Sequence, residues 1–161
     1  MHAMDRIRPY EDRDADACLA LFDGNVPMYF ARGERADFVR FLARQAGAGT
    51  YLVVERGGVV VACGGHTLEE DATTAGFCWG MVERRLHRQG LGRLLTRARL
   101  DACRQAGTIA RVRLDTSQHT RAFYARFGFR VERIMPDGYG PGLDRCDMVL
   151  ALDAPDARAP V

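Results

Sequence analysis

Lysine is missing altogether: all 23 basic residues are arginine, and Ser117 is the only serine. A chain without lysine cannot form a Schiff base on a side-chain amine, nor hold a nucleotide through a Walker-type lysine. With no G-x-S-x-G turn, the usual serine-hydrolase arrangement is excluded as well. No apolar run approaches the roughly 20 residues that span a bilayer, and the opening MHAMDR has no apolar stretch for a signal-peptide core. Both absences point to a cytoplasmic protein with no membrane partner. The five cysteines, Cys18, Cys63, Cys78, Cys103 and Cys146, are odd in number, scattered, and form no C-x-x-C pair. They read as reduced thiols in a core, with neither a disulfide framework nor a metal site. The net charge of +2 is too small for an electrostatic footprint on nucleic acid.

What is present fits one domain of mixed α/β class, 47% hydrophobic and 27% charged over 161 residues. Asp5 to Tyr10 reads as a strand, and Asp12 to Phe22 as a helix through Ala15, Cys18, Leu19 and Phe22. Asp23-Gly24-Asn25 and Pro27 end it, and a second helix follows from Arg35 to Gln45. Thr50 to Arg56 and Val59 to Thr67 are β-branched runs joined by Gly57-Gly58, the chemistry of a tight hairpin. A strand from Ala75 to Val82 carries Gly76 and Gly80, which mark a bulge or a close approach of ligand to backbone.

Gly90 to Gln105 is helical, with an apolar stripe of Leu91, Leu94, Leu95, Ala98 and Ala102 and arginines on the other faces. A strand from Ala110 to Thr116, a short helix from Thr120 to Arg126, and strands from Phe129 to Ile134 and Asp144 to Leu152 complete the order β-α-α-β-β-β-α-β-α-β-β. Between the last two strands, Pro136 to Asp144 is expected to be an irregular loop, because of its glycines and prolines. The domain is expected over 1–152, with a disordered tail over 153–161.

The segment VERRLHRQGLGRLL, Val82 to Leu95, runs from a strand end through a turn into the long helix. The first N–H groups of a helix lack intrahelical partners and lie at the positive end of its dipole, so they form an anion site. Gly90 and Gly92 let a phosphate approach without a Cβ in the way. This stretch resembles the cofactor motif of the GNAT superfamily of N-acetyltransferases: Q or R, two variable residues, G, one variable residue, then G or A. Here it reads HRQGLG, with His87 a departure at the first position. A second block, LDTSQHTRAFYARFGF from Leu114 to Phe129, is similar to the family's strand, short helix, tyrosine and G-F pattern. Ser117 stands where many relatives have asparagine.

The resemblance implies the GNAT fold, a splayed central sheet flanked by helices, over nearly the whole chain. It also implies acetyl-CoA as cofactor. Met81, Val82, His87, Arg88, Gln89, Gly90, Leu91, Gly92 and Arg93 would bind it, with Ser117, Thr120 and Tyr124 from the second block. Backbone N–H groups near Met81 and Val82 would polarise the thioester carbonyl. Tyr124 matches the tyrosine that protonates the leaving thiolate, a role open to a phenol of reference pKa about 10. The implied reaction is transfer of an acetyl or other acyl group to a primary amine, by direct attack within a ternary complex.

The acceptor must lose a proton, and His66, Glu69, Glu70 and Glu83 are the candidate bases, acting directly or through water. His119 is a candidate helix cap or cofactor contact, and Cys63 or Cys78 would be the nucleophile of a ping-pong route. For the acceptor, a small amine or a peptide amine, the resemblance points to Asn25 to Arg32 and Pro136 to Asp144. Asn25, Tyr29, Phe30, Trp79 and Tyr139 would line that site, with Asp137 or Asp144 attracting a cation. Either a monomer or a homodimer fits. The alternative function on the same fold is a non-catalytic acyl-CoA sensor or binding protein. A dinucleotide-binding oxidoreductase is disfavoured, because its glycine fingerprint follows the first strand of alternating βαβ units.

Overall fold

The Gly57-Gly58 pair closes the hairpin between β2 (Tyr51–Arg56) and β3 (Val59–Leu68), with φ of +58° and +82°. Two consecutive positive φ values match the right-handed twist of the flanking strands, and glycine adopts them without a Cβ penalty. The computed structural model describes residues 5–152, so the expected tail over 153–161 lies outside the described residues.

Around this hairpin the remaining elements follow the order expected from the sequence. They are β1 (Asp5–Pro9), α1 (Ala15–Gly24), α2 (Arg35–Arg44), β4 (Thr74–Val82), α3 (Leu91–Gln105), β5 (Arg111–Thr116), α4 (Arg121–Ala125), β6 (Arg130–Gly140) and β7 (Leu143–Ala151). The strands form one seven-stranded sheet in the order β1-β2-β3-β4-β5-β7-β6. Only the β4–β5 pair is parallel.

One segment departs from the sequence reading. Pro136 to Asp144 is not an irregular loop: β6 continues to Gly140, and only Pro141-Gly142 separate it from β7. The pairing jumps from Met135 opposite Arg145 to Gly140 opposite Leu143, so the residues between bulge outward. A proline in a bulge leaves no ladder bond unmade, and Asp137 absorbs a φ of +55° there.

Helices cover both faces. Val53 of β2 packs with Phe22, Phe38 and Leu42 of α1 and α2, whereas Val54 packs with Leu91 and Leu95 of α3. Adjacent strand residues point to opposite faces, so α1 and α2 lie on one side of the sheet and α3 on the other. Farther along α3, Leu100 and Cys103 pack on Ala75, Val112, Leu114 and Met148.

The feature that positions the site is the shortness of the β4–β5 ladder. Only Thr74, Ala75 and Gly76 pair with Arg111, Val112 and Arg113, after which the strands separate. Opposite β3, Cys63 pairs with Met81 and Gly65 with Cys78, so Trp79 and Gly80 together face Gly64 alone. This bulge bends β4, with Trp79 at a φ of +48°. The unusual backbone is held in place. The Trp79 ring packs against Phe22, Phe30, Phe38 and Phe41, and the Tyr51 hydroxyl donates to the Trp79 carbonyl at 2.8 Å.

At the far edge, the buried Arg8 guanidinium holds Asp14 through two bonds of 2.8 Å and also pairs with Glu55. Arg8 holds the Asp14 carboxyl below the usual carboxylate range, against the opposing effect of burial. Asp14→Asn leaves that buried cation partly unpaired, so a loss of about 3 kcal/mol is expected in denaturant unfolding at neutral pH. A depressed carboxylate stabilises the fold above its unfolded pKa of about 3.9 and loses that effect as pH falls through the folded value. The gap between the two proteins is therefore expected to stay constant from about pH 7 to pH 5 and to close below about pH 4. A gap that persists at low pH would contradict this account.

Candidate functional site

The turn into α3 presents what an anion requires. Gly90 caps the helix at a φ of +87°, no side chain caps it, and the first-turn amides of Leu91, Gly92 and Arg93 lack intrahelical acceptors. Arg88 and Arg93 flank the turn. His87 Nε2 donates to the Val82 carbonyl at 3.0 Å, and the Asn25 side-chain amide donates to the same oxygen at 2.9 Å. Two donors on one carbonyl pin the end of β4 where the helix begins. They also tie the end of α1 to it, because the Asn25 amide bonds Leu21 O as well.

From this turn a cleft of about 840 Å³ follows the gap between β4 and β5. Met81 and Val82 line one wall, and Ser117 and Thr120 line the other. Ser117 is buried, and its Oγ accepts from the His119 amide at 3.2 Å, forming the turn into α4. Across the mouth, the Tyr29 ring meets His87 on one side and His119 on the other, at centroid distances of 5.0 and 6.0 Å. Tyr124 reaches the cleft from α4, and its hydroxyl accepts from Arg99 Nη2 at 3.2 Å.

The acetyltransferase (GNAT) family model matches residues 15–129. The chain belongs to the GNAT acetyltransferase family. Solved structures agree on the fold. The Ard1 protein of Thermoplasma volcanium is 20% identical with a TM-score of 0.79, covering 94% of this chain and 100% of its own. The yncA protein of Salmonella typhimurium, solved with acetyl-CoA, is 23% identical with a TM-score of 0.73 over 95% and 98% of the two chains. The ribosomal-protein-alanine N-acetyltransferase of Brucella melitensis is 18% identical with a TM-score of 0.74 over 91% and 99%. No curated protein sequence matches significantly.

As a GNAT protein the chain is an acetyltransferase of a family that uses acetyl-CoA. The residues at the α3 turn fit that group. A Cβ at Gly90 would project into open space, and one at Gly92 would press on the Phe123 ring at 3.3 Å, so the glycines keep the amide cradle bare. Of the residues expected to hold the cofactor, Met81, Val82, His87, Arg88, Gly90, Gly92, Arg93, Ser117, Thr120 and Tyr124 line the cleft. The Leu91 side chain instead packs in the core, and Gln89 points to solvent. Asn25, Tyr29, Phe30, Trp79 and Tyr139, expected on the acceptor side, all line the cleft.

The four candidate bases lie elsewhere. His66 is buried against the α3 side, where burial and then Arg99 lower its pKa. Glu69 borders a second cleft on the sheet, Glu70 is exposed, and Glu83 accepts from the Arg85 amide at 2.7 Å. Asp137 and Asp144 serve the β6–β7 turn: Asp137 Oδ1 accepts from the Gly142 amide at 2.7 Å, and Asp144 Oδ1 from the Asp137 amide at 2.9 Å.

Of the cleft residues that sequence reasoning missed in this acetyltransferase, three are charged groups beside its aromatic residues. Glu34 and Asp115 are carboxylates that line it with Tyr29, Phe30 and Tyr139, and the Tyr139 hydroxyl donates to Asp115. Burial pushes the Glu34 carboxyl above its usual range, with Asp115 adding to the effect against a bond from the Ala31 amide. The third is Arg99, which the sequence reading puts with the arginines on the faces of α3 other than its apolar stripe. It is instead 2% exposed, in line with Leu91, Leu95 and Cys103. The signal was available, since 91, 95, 99 and 103 are four apart along one helical face.

Replacing Gly92 with valine is expected to displace the Phe123 ring that lines the cleft beside the first-turn amides and weaken CoA binding by about tenfold, or ~1.4 kcal/mol, in calorimetric titration. Unchanged affinity with an intact fold would move the pyrophosphate site elsewhere.

Proposed function

We propose that this acetyltransferase moves an acetyl group from acetyl-CoA to a primary amine, of a small molecule or a peptide, by direct attack in a ternary complex. One observation carries the reading: a single cleft joins the uncapped start of α3, the Tyr124 hydroxyl and the carboxylates of Glu34 and Asp115. Acetyl-CoA, when bound, supplies an activated thioester carbonyl and a thiolate leaving group.

The chain's own residues would do the rest. The α3 amides with Arg88 and Arg93 bind the pyrophosphate, and the open edge of β4 around Met81 and Val82 takes the pantetheine arm. A strand edge freed of its neighbour offers backbone N–H groups that a side chain would otherwise have to supply. Tyr29, Phe30 and Tyr139 shape the acceptor side. An alkylammonium with a pKa near 10 must lose its proton before it can attack. Glu34, whose burial favours proton uptake, is the base this geometry supports best, in place of the four read from the sequence. Holding amine and thioester together supplies much of the acceleration as effective molarity. A thiol nucleophile is disfavoured, since burial raises Cys78 to about 12 and Cys63 is fully buried outside the cleft.

A thiol-release assay with acetyl-CoA and a panel of amines tests the reaction, and CoA binding without turnover of any amine would count against it. Tyr124→Phe is expected to lower kcat by about 100-fold or more while acetyl-CoA affinity changes little. Unchanged turnover would remove the acid role. A base must be ionised, so activity should rise with pH through an inflection above the ordinary carboxylate range. In Glu34→Gln that inflection is expected to disappear, and its survival would exclude Glu34.

A further inference from the structure

Arg99 has no partner of opposite charge among the described residues. Its guanidinium lies over the Phe77 ring, 4.1 Å from the centroid, and Nη2 donates to the Tyr124 hydroxyl at 3.2 Å. Nε is buried with no hydrogen-bond partner. The other groups around it are His66, Cys78 and Cys103, none of them anionic acids. Ion pairing instead engages Arg8 and Arg56, which have Asp14 and Asp5.

The slot that receives this cation is built into two strands. A Cβ on Gly80 would come within 2.8 and 2.9 Å of the two terminal nitrogens, and one on Gly64 within 3.3 Å of Cζ. The sequence reads Gly80 as a bulge or a close approach of ligand to backbone; it lies in the β4 bulge, and the group that approaches it is a side chain of the protein itself. Burying a charge without a counter-charge is costly, and the cation–π contact with Phe77 and the hydrogen bond to Tyr124 offset that cost without neutralising the charge. The balance leaves a positive site at the floor of the cleft that gains when negative charge forms beside it.

We propose that Arg99 is a positioning residue that acts through Tyr124, holding its hydroxyl for proton donation to the departing thiolate and stabilising the negative charge that forms. Because Arg99 occupies a lone pair of the Tyr124 oxygen, the hydroxyl hydrogen is directed elsewhere, and no other acceptor for it exists among the described residues. In the step, the acceptor nitrogen forms the C–N bond and the C–S bond breaks with its electron pair on sulfur. The Tyr124 proton passes to sulfur. The phenolate, held by Arg99, regains a proton equal to the one that the nitrogen sheds to Glu34 or water. This rests on the acetyl-transfer reading above.

The test compares Arg99→Met, alone and with Tyr124→Phe, for turnover, acetyl-CoA affinity and thermal midpoint. Alone, it is expected to lower kcat at least ~10-fold with affinity held within about twofold. Combined with Tyr124→Phe it should cost less than about twofold more, since residues acting as a unit are not additive. Methionine keeps the apolar stem and removes the buried charge, so the midpoint should rise by about 2 °C or more. Arg99→Lys, which retains charge without the planar fork, should fall between the two in kcat.

Equal losses in both backgrounds, unchanged kcat, or a lower midpoint, failure to fold included, would overturn the proposal in favour of a structural role. A binding comparison needs no turnover: the wild-type chain should prefer CoA over desulfo-CoA, and Arg99→Met should lose that preference. If no amine is acetylated, the functional reading fails while this comparison still decides the role of Arg99, and absence of the preference in the wild-type chain overturns it.

Discussion

The separation of β4 from β5 after three paired residues is the constraint on which the rest of this molecule depends. A continuous parallel ladder would close the sheet and leave no room for a ligand between the strands. The bulge at Trp79 and Gly80 turns β4 away, and the cost of that backbone is offset locally. The Trp79 ring belongs to the aromatic core under α1 and α2, and its carbonyl is fixed by Tyr51. One packing cluster thus holds the cleft open and, through Phe30, Trp79 and Met81, forms part of its wall. The same divergence exposes the β4 edge, aims the end of that strand at the start of α3, and leaves α4 free to bring Tyr124 across the gap.

Arginine is used in this fold in two physically different ways. Arg8 and Arg56 are paired with nearby carboxylates and fasten β1 to β2 and its neighbouring turn. Arg99 lies as deep as the core leucines beside it but faces an aromatic ring, two glycines and a phenol. A planar, weakly hydrated guanidinium tolerates such a place better than a compact ammonium would. Its burial is intelligible where charge develops during a reaction and is hard to explain as a device for stability.

The pattern of apolar and glycine residues was enough to lay out most of the elements. The Gly57-Gly58 hairpin, the amphipathic α3 and the glycine turn at its start are local features. Their physics, twist matching, helical periodicity and orphan amides, acts over a few residues and is therefore written in a few residues. Pro136 to Asp144 was illegible for the opposite reason. Its prolines and glycines signal irregularity, yet pairing with β7, which the local composition does not encode, carries it as a bulged strand.

The sequence by itself determined the class of fold, the glycine turn from His87 to Gly92 that opens α3 and the tyrosine of the second block. Each depends on neighbours in the chain. Only the tertiary structure decided which charged groups meet in the cleft. Glu34 comes from the turn before α2, Asp115 from β5, and Arg99 from the middle of α3, and nothing in their spacing relates them. Their surroundings follow from the groups each meets there: the Ala31 amide for Glu34, the Tyr139 hydroxyl for Asp115, and for Arg99 a buried slot with no carboxylate among the described residues. Those surroundings exist only once the sheet has opened and the helices have closed around it, which is why His66, Glu69, Glu70 and Glu83 were plausible bases on paper and lie outside the cleft in the fold.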